Sequence, residues 1–279
     1  MEFTALPDHV RDAFHASDHE AKQLGPAWDY GWRVGTMVFS QVAHHDRSAW
    51  SARVRENLHP AGVRIVRPIR SADGRFTNAG WRANTYVAGI VTKRVDETVA
   101  AALRLDEALA ELEIPDSFYE VDNSDLFSIA DHWAWSDNPF AQLEFDRDIP
   151  AQETSAELLE KISRLLAPID APVQVTHADM FGTTIYAGSQ APTVTDLVGV
   201  AHPYGYTAAL SIIDGLAIGA IDEAIIDRYN HIPHIDQLLL RALAYRVCVH
   251  ALHPQATSNT GTNLNWVAGA VMSRVSVTL

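Results

Sequence analysis

Apolar and polar residues alternate through GWRVGTMVFSQVA, the pattern of a strand with one buried face. The next segment, DRSAWSARVRENL, lengthens its spacing to that of a helix through Ala49, Val54 and Leu58. GVRIVRPIRSADGRFTNAGWRANTYVAG then reads as a strand, an Asp73-Gly74 turn and a second strand. Beyond Val87-Ala88-Gly89 the character changes, since DETVAAALRLDEALAELEI sets Val99, Leu103, Leu109 and Leu112 on a helical stripe. A boundary around residues 86–92 follows, dividing 1–88 from 89–279. SAELLEKISRLLAPI predicts another amphipathic helix, while YTAALSIIDGLAIGAI and QLLLRALAYRVCVHAL are apolar enough to be buried. The one β signal in this half is VQVTH, TTIYAG and PTVTDL, with AGSQAP as the turn.

Composition narrows the class. With 47% apolar and 20% charged residues the chain can bury a large core and lacks the signature of disorder. Its formal charge of -14 argues against nucleic-acid or anionic-membrane partners, which are bound mainly by clustered Lys and Arg. The only lysines are Lys22, Lys93 and Lys161. A single cysteine, Cys248, excludes an intramolecular disulfide and reads as a small buried hydrophobe. No apolar run reaches the ~18 residues of a membrane span and the first residues do not read as a signal peptide, so a cytoplasmic setting is expected.

Candidate chemistry centres on VQVTHADMFGTTIY. His177-Ala178-Asp179 there is either a catalytic loop between strands or a polar turn, and the tripeptide alone leaves both open. Trp133 and Trp135 in HWAW are expected to serve packing rather than ligand stacking. The histidines of HIPHID, His44-His45-Asp46 and His253 lack a repeated ligand spacing, so no metal cluster is expected from them.

A β-rich lobe, a hinge, and a helical lobe whose hairpin opens on His177-x-Asp179 and closes on Thr195-Asp196 resemble the protein-kinase-like fold. In this order of parts the sequence is similar to the aminoglycoside phosphotransferase branch, and within it to a set of actinobacterial proteins. The resemblance covers nearly the whole chain and is most specific in AGVRIVRPIRSADGRFTNAGWRANTYVAG, VTHADMFGTTIYAGSQAPTVTDL and HPYGYTAALSIIDGL. It implies an α+β bilobal fold, with a small β-rich N-terminal lobe (1–88) and a larger, mainly helical C-terminal lobe (89–279) that holds the hairpin. The chemistry it implies is phosphoryl transfer from a nucleotide to a small-molecule hydroxyl. Asp179 would then orient the attacking hydroxyl, Asp196 would bind Mg²⁺, and the two would share one cleft. His177 would anchor the loop by a side-chain hydrogen bond. Asp214 would be buried and would accept bonds from the loop backbone around His177 to Asp179.

Three parts depart from that pattern. Where the family has a metal-binding asparagine, MFGTTI offers Thr183 or Thr184, poorer magnesium ligands. Ser40 stands where the nucleotide lysine should be, and Gly35 to His45 holds no Lys or Arg; the glutamate that would pair with the lysine is missing too, with Arg53 near its place and Glu56 a turn later. LGPAWDYGW replaces the glycine-rich phosphate loop, putting Pro26, Trp28, Asp29 and Tyr30 where the backbone should approach a polyphosphate. Trp28, Tyr30 or Trp32 is expected to pack inward over the strands instead. These departures suggest a degenerate phosphotransferase that needs no cofactor. The retained aspartates keep open an atypical enzyme using ATP or GTP with Mg²⁺ on Asp179 and Asp196. A non-catalytic binding or scaffold protein is the third reading, with a small-molecule ligand in the interlobe cleft or a protein partner on HPYGY or HWAW.

Overall fold

The computed structural model describes residues 5–16, 18–143 and 150–278. The chain begins α1 (Asp8–Ala13), β1 (Lys22–Gln23), a 3-10 turn (Pro26–Trp28), β2 (Trp32–Val34), β3 (Met37–Gln41) and α2 (His45–Asn57). It continues β4 (Arg64–Ile65), β5 (Pro68–Ile69), β6 (Thr77–Asn78), β7 (Trp81–Thr85), α3 (Val95–Leu109), α4 (Leu126–Trp135), α5 (Pro139–Gln142), α6 (Pro150–Ser163) and β8 (Val173–His177). It ends α7 (Met180–Thr183), β9 (Thr184–Ile185), β10 (Thr193–Val194), β11 (Gly199–Pro203), α8 (Tyr206–Ala217), α9 (Ala224–Arg228), α10 (Ile235–Leu252) and α11 (Ser258–Thr278).

Packing divides these elements into two compact units, residues 1–92 with 177–200, and residues 93–176 with 201–279. The hairpin that follows His177 therefore packs with the first unit. Charge divides as unevenly as structure does. The first unit holds eleven basic and eleven acidic residues, so the whole surplus of negative charge lies in the second.

In the first unit an antiparallel sheet runs β1-β2-β3-β7-β5, with β6 also on β7. Its central strands are buried on both faces because each faces a small core. Phe39, Trp81 and Ala83 point at Leu6, Val10 and Phe14 of the α1 segment, while Val38 points at Trp28, Val66 and Ile185. The expected first strand of the long hairpin is split, since β4 leaves this sheet to pair in parallel with β10, and only β5 joins β7. The β6–β7 hairpin turns through Ala79 and Gly80, both left-handed, at φ 48° and 78°. That is the backbone of a type I′ turn, in which Asn-Gly is the best pair. Ala79→Asn should raise the unfolding free energy by roughly 0.5–1 kcal/mol in a urea titration, because alanine bears the left-handed penalty there.

Helix α2 forms where the sequence places it but buries a different stripe. Ser48, Ser51, Ala52 and Arg55 face inward, whereas Ala49 and Val54 are only half-buried. An inward polar stripe needs polar partners, and the site supplies them.

The second unit is built on α10, whose Leu238, Leu239, Leu240, Leu243 and Val247 are fully buried and which packs against α4, α6, α8 and α11. A helix surrounded on all sides carries no amphipathic stripe, as QLLLRALAYRVCVHAL shows. Cys248 lies inside it, buried and unpaired. On α3 one carboxylate is buried. Asp106 accepts from Gly205 N (3.0 Å) and from the Thr207 hydroxyl, so it caps α8 from a neighbouring helix. Burial pushes its acid up to about 7 against those two bonds. No helix among the described residues is long and apolar enough to cross a membrane.

The motifs HWAW and HPYGY, which the scaffold reading would use as surfaces, meet each other in this unit. His202 of HPYGY stacks on Trp135 of HWAW, with ring centroids 4.1 Å apart, and its Nε2 lies 2.8 Å from Asp131. Tyr206 closes the group edge-on and is fully buried. Aromatic and imidazole faces gain more from each other here than from solvent, so Trp135, His202 and Tyr206 serve packing.

Candidate functional site

Antiparallel register places Ser40 of β3 directly opposite Arg82 of β7. Facing residues in such a pair project from the same side of the sheet. Val38, Ser40, Arg82 and Asn84 thus share the face away from α1, and Ser40, buried at 3% exposure, accepts a hydrogen bond from Arg82 Nε (3.1 Å). The run around Ser40 carries no Lys or Arg, but the strand beside it delivers a guanidinium to the same place.

That guanidinium is held between two carboxylates. Arg82 Nη1 lies 2.6 Å from Asp196 Oδ2, and its Nη2 pairs with Asp29. Asp196 is also held from α2, where Ser51 Oγ donates to its Oδ1 at 2.6 Å and Arg55 Nε stands 3.3 Å from the same oxygen. The backbone N–H of Leu197 adds a bond to Oδ1 at 2.9 Å. Burial alone would raise the Asp196 acid, but the charges of Arg82 and Arg55 and the Ser51 bond outweigh it and hold the carboxyl well below its usual range. Arg55 has no exposed surface, and its Nη1 also donates to Val66 O, Asn84 Oδ1 and Thr195 O. Desolvation brings Arg55 down to about 10, which leaves it charged at neutral pH. This network is why α2 buries Ser51 and Arg55.

The loop after β8 is fastened from inside. Val198 N donates to His177 Nδ1 (2.9 Å), which fixes the proton on Nε2. That nitrogen lies 2.9 Å from Thr183 Oγ1, and the Thr183 hydroxyl in turn donates to Asp179 O. His177 is buried, and desolvation lowers it to about 4. The imidazole is neutral and its two nitrogens both bond within the loop. The Asp179 carboxylate caps the one-turn α7 by accepting from Gly182 N at 2.9 Å. Gly182 is required there, because a Cβ would strike that carboxylate.

The segment before β2 closes over this face. Asp29 and Tyr30 are both left-handed, at φ 50° and 53°, and Gly31 brings the turn so close to the Phe39 carbonyl that any side chain would clash. Trp28 turns inward as expected, 8% exposed, onto Val38, Val66 and Ile185 with Tyr86 beside it. The other two candidates do not. Tyr30 is 44% exposed, and Trp32 packs on the α1 side of the sheet. What remains is a cavity of about 150 Å³ lined by Trp28, Ser40, Arg82, Asn84, Asp179 and Asp196 among others. The two aspartates thus share one small cavity.

Mg²⁺ needs several oxygen donors with open lone pairs. Asp196 spends its oxygens on two guanidiniums, a hydroxyl and an amide, and Thr183 has its proton and one lone pair committed within the loop. A divalent ion would also stand against Arg82 and Arg55. The donor set does not fit the metal, and among the described residues no group of three His, Cys, Asp or Glu could hold one. Asp214 is also not as expected. Its carboxylate is only half-buried, and both its oxygens accept from Arg246 of α10.

An antiparallel first unit and a helical second unit give the chain the protein-kinase-like fold of the aminoglycoside phosphotransferases. Spectinomycin phosphotransferase APH(9)-Ia in its AMP complex superposes with a TM-score of 0.59 at 12% identity, covering 95% of this chain and 96% of that one. Aminoglycoside phosphotransferase APH(4)-Ia with ADP and hygromycin B gives 0.55 at 10% identity over 98% of each chain. Amicoumacin kinase hAmiN in complex with AMP-PNP and Ca²⁺ gives 0.53 at 13% identity, covering 96% of this chain and 92% of that one. No family model matches the chain. A UPF0276 protein of Vibrio parahaemolyticus is 31% identical over 141 residues, 50% of this chain and 48% of its own length. The chain thus spans about half of that curated relative.

Proposed function

We propose that this chain is a kinase-like protein that has lost nucleotide-dependent phosphoryl transfer, working in the cytoplasm on a small-molecule or protein ligand. The observation that carries the reading is Asp196, whose carboxylate is neutralised from within by Arg55 and Arg82. In a phosphotransferase that charge faces a metal ion and its phosphates, and losing one preorganised charge contact costs about 2–4 kcal/mol of transition-state stabilisation. Here the cavity is also small, Trp28 packs into the face beside it, and Pro26 offers no N–H. The buried, unpaired Cys248 is compatible with a reducing compartment.

One feature favours a second reading, an atypical phosphotransferase with Asp179 orienting the acceptor hydroxyl. Arg82 puts a cation beside Ser40, where a phosphate could be met if Asp196 and Asp29 released it. Thermal-shift measurements with ATP and GTP, each with and without Mg²⁺, separate the two. A ligand at a hundred times its Kd adds about 2.7 kcal/mol, which such a scan resolves. The expected result is no metal-dependent rise in Tm; a saturable rise that needs Mg²⁺ and disappears in Asp196→Asn would return the active enzyme to first place.

A further inference from the structure

A second concavity of the first unit stands apart from this cavity. It is a groove of about 540 Å³ between α2 and the turn-rich segment that follows β5. That volume lies inside the ~300–1,000 Å³ typical of small-molecule sites. One wall is a single face of α2, with His45, Ala49 and Arg53 at successive four-residue steps, so the small Ala49 leaves room between two polar side chains. The other wall carries Arg70 and Arg75.

The charges there are not equally spent. Arg70 is consumed by the fold, since its Nε and Nη2 donate to both Glu56 oxygens (2.9 and 2.8 Å) and its guanidinium lies 4.0 Å from the centre of the Phe76 ring. Arg53 is exposed and has no ion-pair partner among the described residues. Arg75 is 79% exposed and comes no closer to a carboxylate than 3.8 Å, at Asp73. Asp73, which also lines the groove, spends its Oδ1 on the turn through Ser71 Oγ and Arg75 N, and its Oδ2 is the oxygen that faces Arg75. Arginines from opposite walls thus line one groove, and neither is locked in a hydrogen-bonded carboxylate pair as Arg70 is; the unit that holds them carries none of the chain's negative surplus.

From this geometry we infer that the groove binds a small organic phosphate monoester, with Arg53 and Arg75 clamping the phosphate dianion. Guanidinium forks match phosphate oxygens two at a time, and two such groups match a dianion in charge. The groove is larger than a bare phosphate fills, which leaves room for an organic body along Ala49 and Thr77. Arg70, locked against Glu56 and Phe76, shapes the wall.

The test uses glycerol 3-phosphate and inorganic phosphate as probes, in low salt with EDTA present, read by thermal shift and by calorimetry. The expected result is a saturable rise in Tm with glycerol 3-phosphate. Its affinity should fall at least tenfold in the Arg53→Ser/Arg75→Ser double variant, as expected for loss of charged hydrogen bonds worth ~1.5–3 kcal/mol each. Both side chains are exposed, so the unliganded Tm of that variant should match the wild type. No response to glycerol 3-phosphate, or a response undiminished in the double variant, overturns the site. Inorganic phosphate binding as tightly as the ester overturns the assignment to an organic ligand.

Discussion

Arg55→Met is expected to lower the unfolding free energy by roughly 3–5 kcal/mol, the range seen when one partner of a buried ion pair is removed. The guanidinium has no exposed surface and serves Val66 O, Asn84 Oδ1, Thr195 O, Ser51 Oγ and Asp196 together. Methionine fills similar volume but satisfies none of these groups. Most of the cost is the penalty on what is left behind, above all a carboxylate with half its compensation gone. Arg55→Met combined with Asp196→Asn should therefore be more stable than the sum of the two single changes implies, by a coupling of about 1–3 kcal/mol. Urea unfolding of the four proteins measures this directly. A single-variant loss below about 1 kcal/mol would mean that Arg82 alone holds Asp196, and the two-arginine account of the site would fail.

Acid should release the loop anchor. The folded His177 is held down to about 4 by burial, against an unfolded value near 6.5, so between those values the unfolded chain binds the proton that the folded one refuses. The anchor's contribution is thus whole above pH 6.5 and is lost as pH falls toward 4. It amounts to about 3 kcal/mol, from 1.36 kcal/mol per unit of difference. Comparing wild type with His177→Gln isolates it, because the buried Asp106, which titrates in the opposite sense, is common to both. The stability gap between the two proteins should narrow by that amount between pH 7 and pH 4. A constant gap would place the folded imidazole at its ordinary value and remove the anchor from the account.

The parts of this molecule that were legible in the sequence are those set by local pattern. Strand alternation put Ser40 on β3, helical spacing found α2, α3, α8 and α10, and the bulk of PAW in a glycine-poor turn pointed to an inward Trp28. His177 was located by the end of its apolar strand, but which groups its ring nitrogens meet depends on the loop that returns at Val198. Arg82 was not, because its role depends on which strand lies beside β3. Only the register that brings it opposite Ser40 makes it a site residue. WRANT sets Arg82 and Asn84 on one face, but nothing within the strand of Ser40 points to that neighbour. Arg55 was missed for a related reason. The apolar positions Ala49, Val54 and Leu58 suggest one inner face for α2, whereas the buried charges draw in Ser51 and Arg55. Asp214 is paired by Arg246, about three turns into α10, a partner that lies far along the chain and that local pattern does not show.

The discontinuity of the first unit bears on how the chain is made. Arg55 and Arg82 emerge early in synthesis, but the strand carrying Thr195 and Asp196 follows Arg55 by 140 residues and more. At about 5–20 residues per second, Arg55 waits roughly 7–28 s and Arg82 roughly 6–23 s for their carboxylate, while the whole of 93–176 is being produced. Until then the inner face of α2 has no partner for Arg55, and the sheet beside it cannot shed water from that guanidinium. Closing so long a loop is also entropically costly and slow. The last step in assembling the first unit is thus the arrival of one short hairpin, and a nascent chain halted before residue 196 should hold β3 and β7 only loosely, with Arg55 still hydrated.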